Sequence, residues 1–139
     1  MKYDDCIFCK IVEKVIPSKI IFENELNLAF LDISPISKGH TIIIPKNHYS
    51  TLEDIPEHEL VETIKLVKKV ATRIYQTLSI DGYNILQNNY AAAGQVINHY
   101  HVHIIPRNNG DDKFRLEIPR NQANDAELNE VLSKLKGQI

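Results

Sequence analysis

Three of the six histidines stand within five residues, at His99, His101 and His103. A β-strand turns successive side chains to opposite faces. The spacing therefore puts the three imidazoles on one face and Tyr100, Val102 and Ile104 on the other, with same-face neighbours about 6.6 Å apart. Such a row can address adjacent atoms of one bound molecule, and a neutral imidazole with one nitrogen hydrogen-bonded and the other free is a nucleophile at neutral pH. A wet, polar strand face is the plainest alternative, but half of all the histidines in so short a segment is more than a wetted surface calls for. A three-histidine zinc site with an open position would activate water instead. The outer two positions lie about 13 Å apart along a strand and cannot both come within about 2.1 Å of one ion, so geometry disfavours that site.

Cys6 and Cys9 are the only cysteines. In a reducing compartment a pair spaced this way is more often a metal clip or a redox motif than a structural disulfide, and it also fits two small buried side chains flanking Ile7 and Phe8. The redox reading is the weaker, because no strand precedes the pair to set up a reactive helix N-terminus.

The elements that position these residues follow from pattern. The runs 19–24 and 27–32 read as a hairpin, 40–44 as a strand closed by Pro45, 83–87 as another strand, and 99–105 as the strand of the histidines. Pro56 opens a long helix with Leu60, Ile64, Val67, Ala71, Ile74 and Leu78 at helical spacing, and Ala91 to Gly94 form a small-residue loop. A second helix is predicted over 125–136, with Leu128, Val131, Leu132 and Leu135 apolar. Strands in adjacent runs with one long helix between them indicate an α+β fold on an antiparallel sheet. The 139 residues suit a single domain, 1–139. Apolar content of 43% and charged content of 24% are those of a soluble globular chain. A net charge of −2 does not favour wholesale binding to a nucleic-acid backbone, and no nucleic-acid partner is expected. No apolar run approaches the length of a membrane span and none follows the first five residues as a leader, so the expected location is cytoplasmic.

The segment His99-Tyr100-His101-Val102-His103 resembles the His-x-His-x-His signature of the histidine triad family. The likeness extends through Ile7-Phe8, Ile20-Ile21-Phe22-Glu23, Leu28-Ala29-Phe30, Asp32-Ile33-Ser34-Pro35, Gly39-His40, Ile44-Pro45-Lys46, His48, Gly82-Tyr83, Asn88 and Gly94-Gln95, in the order of the Hint-like branch. It covers about residues 6 to 107, far more than a short motif. The resemblance implies a sheet of about five strands with one long and one or two short helices, continued across a homodimer.

It also implies roles. His101 would attack the α-phosphorus of a nucleotide and form a nucleotidyl-histidine intermediate, its other nitrogen held by the His99 carbonyl. His103 and Gln95 would contact the phosphate region, with His40 close by. Asp32 would bind the ribose hydroxyls and Asn88 sugar or phosphate, and Ile7, Phe8, Ile11, Phe30, Leu31 and Ile33 would form the purine pocket. Read without the resemblance, Phe8 and Phe30 are ordinary core aromatics, Asp32 a turn residue and His40 a loop histidine. Val96 stands where relatives often carry a hydroxyl near the leaving group, and the chain lacks the Trp-Pro-Pro-Gly ending of eukaryotic members. Some bacterial members carry the same cysteine pair with two histidines, which implies a structural zinc on Cys6, Cys9, His48 and His99. Catalysis would need no metal.

The implied activity is hydrolysis of purine nucleoside phosphoramidates (AMP or GMP derivatives). The alternatives are hydrolysis of diadenosine polyphosphates, which needs room for a second nucleotide, and a nucleotide-binding regulator with vestigial hydrolysis. The intact set His40, His99, His101 and His103 weighs against a pure binder.

Overall fold

Short runs of apolar and β-prone residues build the sheet, the first two joined by a short polar turn. The computed structural model describes residues 3–113, 120–137 and 139. In chain order they form α1 (Ile7–Val12), β1 (Ile20–Glu23), β2 (Asn27–Leu31), β3 (Thr41–Pro45), α2 (Glu57–Thr77), β4 (Gly82–Leu86), a 3-10 turn (Ala91–Ala93), β5 (Val102–Arg107) and α3 (Asp125–Leu135). The five strands form one sheet in the order β1-β2-β3-β5-β4, antiparallel at every pairing. The fold is therefore the α+β arrangement that the sequence pattern indicated.

Period-2 alternation divides the core in two. On one face Ala29, Ile43, Tyr100, Val102 and Ile104 pack under α2 through Leu66, Val67, Val70, Ala71 and Ile74. On the other, Leu28, Phe30, Ile42 and Ile44 pack under α1 through Phe8, Ile11 and Val12. The strand that carries His103 thus buries one face against the long helix and turns its histidine to the side that α1 only partly covers.

Three details differ from the pattern. The buried stripe of α2 includes Glu59 and Thr63, while Ile64 and Leu78 are exposed. Those two polar residues tolerate burial because they are bonded: Glu59 Oε1 accepts from Asn47 and Tyr49, and Thr63 Oγ1 lies 2.6 Å from Asn27 Oδ1. The last strand begins at Val102, not at His99. Ahead of it, Pro45 has no N–H to give, its carbonyl lies 2.8 Å from His99 Nε2, and the Tyr100 N–H donates to the Tyr49 carbonyl. The tail helix forms at Asp125–Leu135, capped by Asn124, but Leu128, Val131, Leu132 and Leu135 are all more than half exposed. No helix among the described residues is long and apolar enough to cross a membrane.

Candidate active site and metal centre

The histidine row survives the late start of β5 because hydrogen bonds hold the residues before it. His101 is 5% exposed, and its Nδ1 lies 2.6 Å from the His99 carbonyl. A carbonyl can only accept, so Nδ1 carries the proton and Nε2 keeps its lone pair. Burial pushes the His101 pKa below that of an ordinary imidazole, against the opposing pull of that carbonyl and of Asp32, so the ring is neutral at neutral pH. The His103 ring stands 4.9 Å from it, centroid to centroid, at an interplanar angle of 76°. Burial, then the neighbouring His101 and His40, push the His103 pKa down to about 4. Behind His103, across the β3–β5 pairing, His40 is 2% exposed with Nε2 2.8 Å from His103 Nδ1 and 3.7 Å from Asp32 Oδ2. Gly39, at φ +89°, lets the chain enter β3 there; a Cβ would come 2.6 Å from Leu78 Cδ1.

His101 and His103 line a cleft of about 250 Å³ whose walls are mostly apolar. Ile7, Phe8, Ile11, Phe30, Leu31, Asp32, Ile33 and Val96, all singled out from the sequence, are in its lining. The lining also contains Ile16, Pro17, Ser18, Ile42, Gly94 and Ile97, which sequence reasoning missed. Alternation from His40 places Ile42 on the same sheet face, so that residue had a signal; the 16–18 turn had none. The Ser18 hydroxyl is buried with no hydrogen-bond partner among the described residues.

Four candidates stand outside the lining. His40 sits behind His103, and His99 turns the other way. Gln95 is buried in its own loop, its amide nitrogen donating to the Ser50 and Ile97 carbonyls and its oxygen accepting from the Tyr90 N–H. It holds the loop that brings Gly94, Val96 and Ile97 to the rim. Asn88 reaches the Gly94 carbonyl at 3.4 Å.

On the far side of His101 lies a second cluster. Cys6 caps α1 and Cys9 lies within it, and with His48 and His99 their ligand atoms all fall within 4.8 Å of one another. The separations from Cys6 Sγ to His99 Nδ1, from Cys9 Sγ to His48 Nδ1 and from Cys9 Sγ to His99 Nδ1 are 3.4, 3.5 and 3.7 Å. Those are edge lengths of a tetrahedron whose centre is about 2.3 Å from sulfur and about 2.1 Å from nitrogen, so the donor set fits zinc. His99 Nε2 donates to the Pro45 carbonyl, which leaves Nδ1 as a lone pair for the metal. Backbone N–H groups of Cys9 and Tyr3 approach Cys6 and Cys9 Sγ at 3.4 Å, and would support thiolate charge. Burial pushes the Cys9 thiol up and the His48 and His99 imidazoles down, His99 to about 4, so without metal all three favour their neutral forms.

Helix α1 serves both clusters. Its cap Cys6 and its own Cys9 face the metal site, while Phe8, between them, sets its ring edge-on to His99 at 5.8 Å and His101 at 5.2 Å.

An antiparallel α+β sheet that presents a row of three histidines, the middle one with a free nitrogen lining an apolar cleft, defines a histidine triad protein. The comparisons agree: the HIT domain model matches residues 13–110, and the chain belongs to that family. An uncharacterised HIT-like protein of Methanocaldococcus jannaschii is 46% identical over 95% of this chain and 99% of its own. An adenosine 5'-monophosphoramidase of Saccharomyces cerevisiae is 38% identical over 95% of this chain and 84% of its own. Among solved structures, a HIT family protein from Bacillus anthracis is 35% identical and superposes with a TM-score of 0.91 over 98% of both chains. A zinc-bound histidine triad family protein from Mycobacterium smegmatis is 34% identical, with a TM-score of 0.74 over 97% of this chain and 98% of that one.

Proposed function

We propose that the chain hydrolyses purine nucleoside phosphoramidates at the α-phosphate, with His101 as nucleophile. The observation that carries this reading is the hydrogen bond from His101 Nδ1 to the His99 carbonyl, which leaves Nε2 as a lone pair on the wall of the cleft. That lone pair forms a bond to the α-phosphorus as the P–N bond to the amine breaks. The amine departs with the bonding pair and collects a proton from water. The positive charge on the phosphorylated ring is held by its Nδ1–H against the carbonyl. Water then attacks phosphorus, the P–Nε2 bond breaks and its pair returns to the ring, and the nucleoside monophosphate leaves as the water's proton passes to solvent. Two substitutions replace one difficult one. The apolar lining around Phe8, Ile11 and Phe30 suits a purine face, and Asp32 at the mouth suits ribose hydroxyls. The relationship to a monophosphoramidase supports the same substrate class.

The Cys6, Cys9, His48 and His99 set we assign to zinc, which when bound supplies a four-ligand structural tie between the amino-terminal segment and the sheet. The working form we take to be a cytoplasmic homodimer. β4 is an outer strand with Tyr83 and Ile85 exposed, and the exposed Tyr75 of α2 stands 6.1 Å from Tyr83, an apolar edge that a second copy would cover. Sedimentation that shows only a 15.9 kDa monomer at micromolar concentration removes the dimer.

The test of the chemistry is side-by-side turnover of an adenosine phosphoramidate and a diadenosine polyphosphate, with intact-mass analysis of acid-quenched enzyme. The phosphoramidate is expected to turn over faster and to leave a nucleotidyl adduct on the protein. His101→Ala should lose at least about 10³-fold in turnover, lose the adduct, and keep nucleotide binding. Near-normal turnover by that variant overturns the mechanism.

A further inference from the structure

The cleft receives two imidazoles, and the groups behind them dictate opposite proton positions. His40 Nδ1 accepts from the backbone N–H of Ile36 at 3.1 Å. A ring nitrogen that accepts cannot also carry a hydrogen, so the proton of neutral His40 sits on Nε2. His40 Nε2 lies 2.8 Å from His103 Nδ1 and therefore donates to it. His103 Nδ1 is then an acceptor, which puts the His103 proton on Nε2, the nitrogen left for the cleft.

We propose that the Ile36 amide is a positioning group: through His40 it fixes the tautomer of His103, so that His103 offers an N–H donor to the cleft beside the bare Nε2 of His101. The catalytic use of that donor rests on the phosphoramidase reading, in which it faces charge gathering on the α-phosphate or on the leaving nitrogen. His103 acts by hydrogen bonding and not as a relayed acid. Passing its proton on and reloading from His40 would leave an imidazolate whose only other nitrogen faces an amide N–H.

The Ile36 amide is held for this task. The Ser34 N–H donates to Asp32 Oδ1 at 2.8 Å, the Ser37 hydroxyl to the Pro106 carbonyl at 2.7 Å, and the His40 N–H back to the Ser37 carbonyl at 3.0 Å. The same amide decides a competing reading. Asp32, His40 and His103 place their ligand atoms within 4.8 Å of one another, as a metal site would. Ligation through His40 Nε2 would move its proton to Nδ1, against the Ile36 N–H, and set two donors face to face. Burial, which lowers the pKa of both rings, keeps the pair neutral.

The experiment is long-range 15N–1H correlation on the full chain labelled in its histidines, without nucleotide, above the imidazole pH range. The expected result is a proton on Nδ1 of His101 and on Nε2 of both His40 and His103. His40→Leu should release His103 to a mixture of tautomers, and His40→Gln, whose amide can still donate, should restore the Nε2–H form. Ile36→Pro, which deletes the amide hydrogen, should mix the tautomers of His40. If phosphoramidate turnover holds, His40→Leu should lower kcat about 10- to 100-fold with a smaller change in KM, and His40→Gln should recover most of it. An Nδ1–H tautomer of His103 in the wild type overturns the proposal. So does a His103 tautomer indifferent to His40→Leu, or a second equivalent of Zn2+ that ligates His40 and His103. Because the tautomers are read in the free protein, failure of the phosphoramidase reading leaves this result standing, and the reverse.

Discussion

Two clusters flank His101, and by spacing alone they are alike: Cys6, Cys9, His48 and His99 on one side, Asp32, His40 and His103 on the other, each within the reach of one ion. Their outer partners separate them. His99 rests its far nitrogen on the Pro45 carbonyl, which takes the ring's hydrogen and frees a lone pair for metal. His40 rests its far nitrogen on the Ile36 N–H, which forces the hydrogen inward to His103. One backbone group that accepts makes a ligand, and one that donates makes a hydrogen-bond relay. A list of metal-binding residue types carries no such distinction until the groups behind the rings are known.

The largest effect should come from the metal side. Protein purified without chelator is expected to hold one zinc per chain and not two. Cys6→Ala with Cys9→Ala should lose it, and melting should drop by about 10 °C, equivalent to roughly 3 kcal/mol for a chain of this size. Elemental analysis that finds no zinc in an equally stable wild type removes the distinction between the clusters.

The relay side should show itself in acid. Folded His103 titrates near 4, where an ordinary imidazole has 6.5. Below pH 6.5 the unfolded chain takes up a proton that the folded chain refuses. Stability is therefore complete above pH 6.5 and falls toward pH 4, with a slope approaching about 1.4 kcal/mol per pH unit for each such histidine. His40 and His101 act in the same direction. Denaturant unfolding of the wild type and of His103→Gln across that window should give a shallower loss in the variant; identical slopes would mean that His103 is not held neutral.

Smaller again is the effect of the wedge between the clusters. Phe8→Leu removes ring edges from His99, His101 and Phe30 and should cost about 1 kcal/mol while weakening both zinc retention and nucleotide binding. If only one of the two weakens, the helix does not join them. Smallest is Val96→Ser at the rim: 90% exposed, it should change stability by less than about 0.5 kcal/mol and alter only the ranking of leaving groups, measured across a series of amines.

The sequence showed the sheet and the histidine row because strand alternation is a local property, and five short elements obey it. It did not locate α1, since six residues are less than two turns and carry no readable period. It shifted the buried stripe of α2 toward Ile64 and Leu78, because Glu59 and Thr63 owe their burial to Asn47, Tyr49 and Asn27, partners distant in sequence. The contact between His40 and His103 joins residues 63 apart and depends on the β3–β5 register, so the local pattern gave His40 no partner. The Ile36 amide carries no side-chain signature at all, and only the folded chain brings it to His40.

Helix α1 has one consequence that concerns thermodynamics more than geometry. It is six residues long, and Cys9 within it and Cys6 at its cap face the metal site while Phe8 and Ile11 form a wall of the cleft. An ion that holds the cysteines removes conformational freedom that a nucleotide would otherwise have to remove for itself. The two ligands are then linked, and linkage is reciprocal: zinc should tighten nucleotide binding by the same factor by which nucleotide tightens zinc. The chain would then bind nucleotide more weakly when zinc is scarce, and nucleotide would slow the escape of zinc to a chelator.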